Sequence, residues 1–269
     1  MNVGLTSAPA PAAEPAAPEL SSRQVAWHSG GEFLLTTVLL FGVVSIVRWV
    51  IGPSPVSRAI PGIHLELLIV GLAVGLLITG LILTPPGKAT GGHMNPAISF
   101  GMWWLGAFPR RAVLPYTVAQ LAGSLLGALI ARGVWGPAVT SPGVEYAVLR
   151  PAPGWTNEML FPVEGASMAV IVLLVGLFLS AHRLTRFVPW LVGALIAAAI
   201  AGLGTVTGGS VNPARQFGPA VLAGQFGFLV SYLIAPLVGA AVAASLIAIF
   251  RTRNVLTHHL SGGHPRVYH

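Results

Sequence analysis

The chain has 269 residues, of which 54% are hydrophobic and only 8% charged, with a formal net charge of +7. A soluble domain carries about 25% charged residues, so this composition excludes a water-soluble domain and indicates a membrane protein. Cysteine is absent and the seven acidic residues are all glutamate, which removes disulfides and thiolate metal sites and leaves little material for carboxylate catalysis.

In chain order, residues 1–24 form an Ala/Pro-rich N-terminal tail, a composition that cannot build a core and is expected to be disordered. The tail has no basic region followed by an apolar run, so it is not read as a cleavable signal peptide. The first apolar stretch, about 29–51, opens with GGEFLLT and carries Glu32; the second covers about 64–84. Then comes KATGGHMNPAISFG (88–101), with Gly91, Gly92, His93 and Asn95, leading a short apolar segment at 95–105. A third long stretch covers about 112–135, and the fourth, about 163–181, begins beside Glu164. The fifth, about 187–206, runs into TVTGGSVNPARQFGP (205–219), which holds Gly208, Gly209, Asn212 and Arg215 and leads a second short segment at 212–223. The sixth covers about 227–250, and residues 253–269 form a C-terminal tail. Each of the six can span a bilayer, for which about 20 apolar residues are needed; the two short segments cannot cross alone.

The expected fold class is therefore all-α membrane protein: six transmembrane helices plus two half-helices in an inverted repeat. The repeat extends past the motifs, since Tyr116, Ala119 and Gly123 recur 116 positions later as Tyr232, Ala235 and Gly239. One channel-like domain is expected over 25–252, with halves at about 25–135 and 160–252. Three spans per half turn the second half upside down, and such repeats hold their functional site at the midplane where broken helices meet.

Lys and Arg set the orientation. With the N-terminus cytoplasmic, nine face inward (Arg23, Lys88, Arg110, Arg111, Arg183, Arg186, Arg251, Arg253, Arg266) and four outward (Arg48, Arg58, Arg132, Arg150). That asymmetry favours both termini inside. It also explains the net charge as topology, with no nucleic acid implied.

Irregular backbone at membrane depth is tolerated only where it is buried in protein or lines a wet cavity. Asparagine suits a helix N-cap and proline the first turn, so each Asn-Pro-Ala starts a half-helix. Two such N-termini meeting head to head concentrate about half a positive charge each. Asn95 and Asn212 then offer amide donors to an oxygen lone pair, while cations are opposed. Conduction of small neutral molecules follows.

With GGHMNPA, GGSVNPAR followed by FGPA, GEFLLT and Glu164, the chain resembles the aquaporin or major intrinsic protein family over about residues 25–252. The resemblance implies the aquaporin fold, a homotetramer with one pore per subunit, and a passive channel without cofactor, metal or catalytic residues. It also implies a multi-pass protein of the plasma (inner) membrane, in contact with lipid bilayer, water and small neutral solutes. In that family the arginine after the second motif lies at the narrow constriction, and Arg215 matches it. By spacing from the motifs, Gly75, Ile200 and Gly209 fall at the other constriction positions, with Val74 and Leu76 as the neighbours that would change the lumen. No aromatic and no histidine stands in that set, unlike water-selective members. Gln216 stands where glycerol facilitators have Asp; Ala220 and Tyr232 look aquaporin-like and Leu233 looks like a solute channel. The mixture is most similar to the nodulin-26-like group and bacterial relatives, which implies passage of glycerol, urea or metalloid hydroxides, with a water-selective channel as the alternative.

Within the same resemblance Glu32 and Glu164 hold the backbone of the re-entrant loops, against a proton relay as the competing role. His93 lines the conduit or bonds loop backbone. His182 is a solvated loop residue or a pH sensor. His258, His259, His264 and His269 lack metal-site spacing. Three rival classes compete with this reading. An intramembrane protease needs paired Asp, a Ser–His arrangement or a zinc motif, all missing from the sequence. An ion-coupled transporter needs ion sites within the spans, and a non-conducting adhesion role leaves the paired motif unexplained.

Overall fold

The computed structural model describes residues 20–250, and every regular element among them is helical. The expectations for the C-terminal tail, its four histidines, and residues 1–19 lie outside the described residues. The helices are α1 (Ser22–Val50), α2 (Pro55–Ala59), α3 (Ile63–Leu83), α4 (Pro85–Thr90), α5 (Pro96–Trp104), α6 (Arg110–Trp135), α7 (Asn157–Ser180), α8 (His182–Thr185), α9 (Val188–Leu203), α10 (Pro213–Ala223) and α11 (Leu229–Phe250). Helices α1, α3 and α6 with half-helix α5 make the first half; α7, α9 and α11 with α10 make the second.

Three boundaries differ from the sequence expectation, each for a local reason. Helix α1 starts inside the expected tail, because Ser21 accepts from the Gln24 backbone N–H while the Gln24 side chain accepts from the Ser21 N–H. That reciprocal capping box satisfies donors that would otherwise be orphaned. Helix α7 begins at Asn157, through Pro162; the missing proline N–H frees only a carbonyl near the exposed first turn, where water replaces it. Helix α9 stops at Leu203, where the carbonyl of Leu203 collects the N–H groups of Val206, Thr207 and Gly208 and turns the chain inward. Among the described residues, five helices are long and apolar enough to cross a membrane by themselves, and α9, at 16 residues, is the shorter sixth.

Packing between helices is set by small residues, as expected in lipid where close backbone approach supplies the attraction. The same device recurs in both halves. Gly123 of α6 lies against the Phe33 carbonyl of α1, and Gly239 of α11 lies against the Gly165 carbonyl of α7. Phe33 and Gly165 each directly follow one of the two buried glutamates. Between the halves, Gly71 and Gly75 of α3 face Ala197 and Gly193 of α9. Thr79 pins this seam with one hydroxyl proton shared between the Gly75 carbonyl (2.9 Å) and the Pro189 carbonyl (3.1 Å).

This seam corrects one constriction expectation. A Cβ at Gly75 would strike the Gly193 carbonyl, so Gly75 points between helices and not into a lumen. The i, i+3/i+4 spacing of a helix puts Leu67, Val70, Val74 and Ile78 on the cavity face of α3 instead. Overpacking a filled interface costs about 1–3 kcal/mol or more. Gly75→Leu is therefore expected to lower the thermal unfolding temperature of detergent-purified protein by several degrees. The exposed neighbour Leu76 changed to Ala should leave it within about a degree, and equal behaviour of the two variants would refute the seam.

Candidate functional site

Both re-entrant loops reach their half-helix by the same backbone path. Gly91 and Gly92 have φ of +93° and +58°, Gly208 and Gly209 of +83° and +60°. These left-handed angles are open to glycine and costly for other residues. The residue just before each asparagine is left-handed too, although neither is glycine: Met94 at φ +46° and Val211 at +43°. For Val211, β-branched, that is a strained position which the surroundings must enforce.

The two buried glutamates do the enforcing. Glu32 accepts from the backbone N–H of His93 (3.0 Å) and Met94 (2.6 Å), and Glu164 from that of Ser210 (3.2 Å) and Val211 (2.7 Å). Glu32 takes two further donors, the Thr90 hydroxyl (2.7 Å) and Gln120 Nε2 (2.7 Å). Behind the loops, the Tyr116 hydroxyl donates to the Thr90 carbonyl (2.9 Å) and that of Tyr232 to the Thr207 carbonyl (2.6 Å). Thr90 and Thr207 also accept from the Gly92 and Gly209 N–H through their hydroxyls. This threonine pair escaped the sequence reading, though its signal was present: a Thr stands before Gly-Gly in both motif copies. Gln120 had no such signal, because its partner Glu32 lies 88 positions away.

Asn95 and Asn212 tie the half-helices together. Each Oδ1 caps its own helix, Asn95 taking the Ala97 N–H (2.9 Å) and Asn212 those of Ala214 (2.9 Å) and Arg215 (3.3 Å). Each Nδ2 crosses to the other loop, Asn95 to the Val211 carbonyl (3.0 Å) and Asn212 to the Met94 carbonyl (2.9 Å). An amide nitrogen carries two N–H groups, so each asparagine keeps a second donor after making this crossed pair. The crossing brings the N-termini of α5 and α10 head to head.

A cavity of about 230 Å³ opens on the Arg215 side of this junction and reaches Asn212. Val74 of α3, Ile200 of α9, the Gly209 loop and Arg215 all border it, and no aromatic or histidine side chain among the described residues does. Of the four constriction positions inferred from the sequence, three meet around this space and Gly75 is replaced by Val74. Gly209 comes this near only because it lacks a Cβ, which would collide with the Ala199 carbonyl of α9. His93 does not border the cavity; its ring sits edge-on to Phe108 (4.9 Å) and Tyr116 (5.7 Å), with Nδ1 3.0 Å from Ser99 Oγ.

The segment 141–150 covers the same cavity, and nothing in the sequence marked it. Three successive non-glycine residues, Glu145, Tyr146 and Ala147, have φ of +39°, +57° and +61°. A left-handed conformation costs roughly 1–2 kcal/mol per such residue, so the turn must be held from outside. Arg215 Nη1 donates to the Ala147 carbonyl (2.5 Å), and Gln216 grips Leu149 at both its N–H (3.0 Å) and its carbonyl (2.9 Å). Leu149 in turn packs on Gly208. On the Arg215 side of α6, the Ser124 hydroxyl donates to the Ala214 carbonyl and accepts from the Gly218 N–H (3.0 Å), fixing the first turns of α10.

Comparisons with known proteins bear on the family and the fold. Residues 19–247 match the family model described as major intrinsic protein. The probable aquaporin AqpM of Archaeoglobus fulgidus is 33% identical over 183 residues, covering 66% of this chain and 74% of that protein. The propanediol uptake facilitator PduF of Salmonella typhimurium is 28% identical over 260 residues, 84% of this chain and 94% of its own. Among solved structures, the aquaglyceroporin from Plasmodium falciparum superposes with a TM-score of 0.71 at 22% identity, covering 82% of this chain and 95% of that one. At that identity the likeness speaks for the fold.

Proposed function

We propose, for a chain that belongs to the major intrinsic protein family, a passive pore that passes water and small uncharged solutes and rejects ions and protons. Members of the family are multi-pass membrane channels for water and small solutes, not enzymes. The observation that carries the finer reading is the crossed asparagine pair, with a spare N–H on each amide and a cavity leading to Asn212. A solute oxygen is met there by donors, and a cation by two helix N-termini and a guanidinium. Protons are opposed by the same field. Within this reading the chain sits in the plasma (inner) membrane with both termini cytoplasmic, so that the Arg215 cavity faces outward. It assembles as a homotetramer with one pore per subunit. The stripe Leu65, Leu68, Leu72 and Leu76 on α3, exposed in a single chain, offers apolar surface to lipid or to a neighbouring copy.

Solute passage rests on the walls of the cavity. Val74 and Ile200 are aliphatic, Gly209 presents backbone, and Arg215 with nearby loop carbonyls can replace part of a solute's hydration. The relative named for propanediol uptake adds weight to passage of a polyol. One observation favours the water-selective alternative: a valine fills the wall where the sequence suggested a glycine. Stopped-flow light scattering on proteoliposomes separates the two. Glycerol, urea or boric acid is expected to enter at a rate well above that of empty liposomes. Val74→Phe should cut that entry about tenfold or more, because an aromatic ring projects into a space of only ~230 Å³, while water flux falls less. Wild-type protein that passes water and none of these solutes would establish the water-selective channel.

A further inference from the structure

The strained turn at 145–147 is fastened to Arg215 on one side; on its outer side it is closed by a different contact. Arg150 reaches back five residues and pairs with Glu145 through its two terminal guanidinium nitrogens, Nη1 meeting Oε1 at 3.3 Å and Nη2 meeting Oε2. Between the paired residues lies Ala147, buried, whose carbonyl is the acceptor for Arg215 Nη1. Arg150 itself borders the cavity, while both partners of the ion pair remain partly open to solvent. The pair therefore brackets a turn that unaided L-residues avoid and that presents one carbonyl to the pore arginine. A planar fork matched to a carboxylate gives this clasp a defined geometry, which a single point charge does not.

We propose that the Glu145–Arg150 pair is a positioning device for the constriction: it holds the left-handed turn so that the Ala147 carbonyl keeps the Arg215 guanidinium at one side of the cavity. Neither residue contacts the solute in this account. They act through Ala147, and their effect is on selectivity. With the clasp open, the turn relaxes, the Ala147 acceptor withdraws, and Arg215 gains freedom opposite Val74 and Ile200. A guanidinium that swings clear widens the passage for a solute of several heavy atoms more than for water. This rests on the pore reading above.

The full chain in proteoliposomes, with water and urea permeability measured by stopped-flow light scattering, tests it. Glu145→Gln and Arg150→Gln are each expected to raise the urea-to-water permeability ratio about three- to fivefold, the upper weight of an exposed ion pair in a two-state balance. The charge-exchanged double variant, Glu145→Arg with Arg150→Glu, should return the ratio to within about twofold of wild type. Loss of fold alone would lower water and urea flux together and leave the ratio unmoved. The inference is overturned if the single variants keep the wild-type ratio, or if the exchange fails to restore it in protein that still conducts water. Wild-type liposomes no faster than empty ones would instead sink the pore reading, and this inference with it.

Discussion

Glu32→Ala should abolish recovery of folded protein, leaving most of it aggregated on detergent extraction. The side chain is wholly buried and accepts from four donors: the Thr90 hydroxyl, the His93 and Met94 N–H groups, and Gln120 Nε2. Removing the acceptor strands all four away from water, at about 1–3 kcal/mol for each unsatisfied group. The sum, roughly 4–12 kcal/mol, is comparable to the entire stability of a folded domain, about 5–15 kcal/mol. The left-handed angle at Met94 would also lose its restraint. Glu32→Gln should fall between wild type and alanine. One amide oxygen can still serve Met94 and Gln120, and the Thr90 hydroxyl can turn to accept, so the His93 N–H is left as the main clash. Glu164→Ala should be milder than Glu32→Ala, because three donors lean on that carboxyl group, the Ser210 and Val211 N–H groups and the Thr207 hydroxyl, against four on Glu32. Fluorescence-detected size exclusion with a thermal ramp measures the order. An alanine variant at position 32 that elutes and melts like wild type would show that the loop does not depend on this side chain.

The difference between the two glutamates also shows what a sequence conveys and what it withholds. The half-helices and the head-to-head asparagines were legible because they follow from local chemistry written twice in the chain. Asn at an N-cap and Pro in the first turn each have one economical use. The facing of α3 was not legible from spacing alone. A shift of one residue rotates a helix position by about 100°, so counting back from Asn95 put a seam glycine in the lumen and hid Val74. What decided the facing was Gly193 and Ala197, 118 and 122 positions beyond Gly75, and no local pattern reports such a distant partner. The turn at 145–147 was illegible for a second reason. Its residues have no left-handed preference, and the side chains bonded to the turn and its flank, Arg215, Gln216 and Arg150, come from or act across contacts that no local pattern reports.

Arg215→Val is expected to produce a measurable leak of monovalent cations from proteoliposomes in which the wild-type protein leaks none. Arg215 is the residue nearest the junction whose positive charge borders the cavity, and its backbone N–H belongs to the first turn of α10. A cation passing within about 4 Å of a guanidinium is opposed by about 1 kcal/mol in water and about 4 kcal/mol at the effective dielectric of a protein surface. Losing that opposition speeds passage by about fivefold to a thousandfold, since every 1.4 kcal/mol is a factor of ten. The leak should stay small in absolute terms, because the α5 and α10 N-termini keep about half a charge each at the junction. Adding Asn212→Asp to Arg215→Val attacks that second barrier and should raise the leak further, by placing a carboxylate where the cap now offers an amide. Arg215→Lys distinguishes charge from geometry. A lysine keeps the cation barrier but brings a point charge in place of a fork, so it should hold ions back while loosening the grip on the Ala147 carbonyl and raising urea passage. Potassium flux, read with a voltage-sensitive dye beside the water flux of the same vesicles, resolves the three variants. Should Arg215→Val leak no faster than wild type while water still passes, cation exclusion would belong to the asparagine junction alone, and the guanidinium would act only on the shape of the opening.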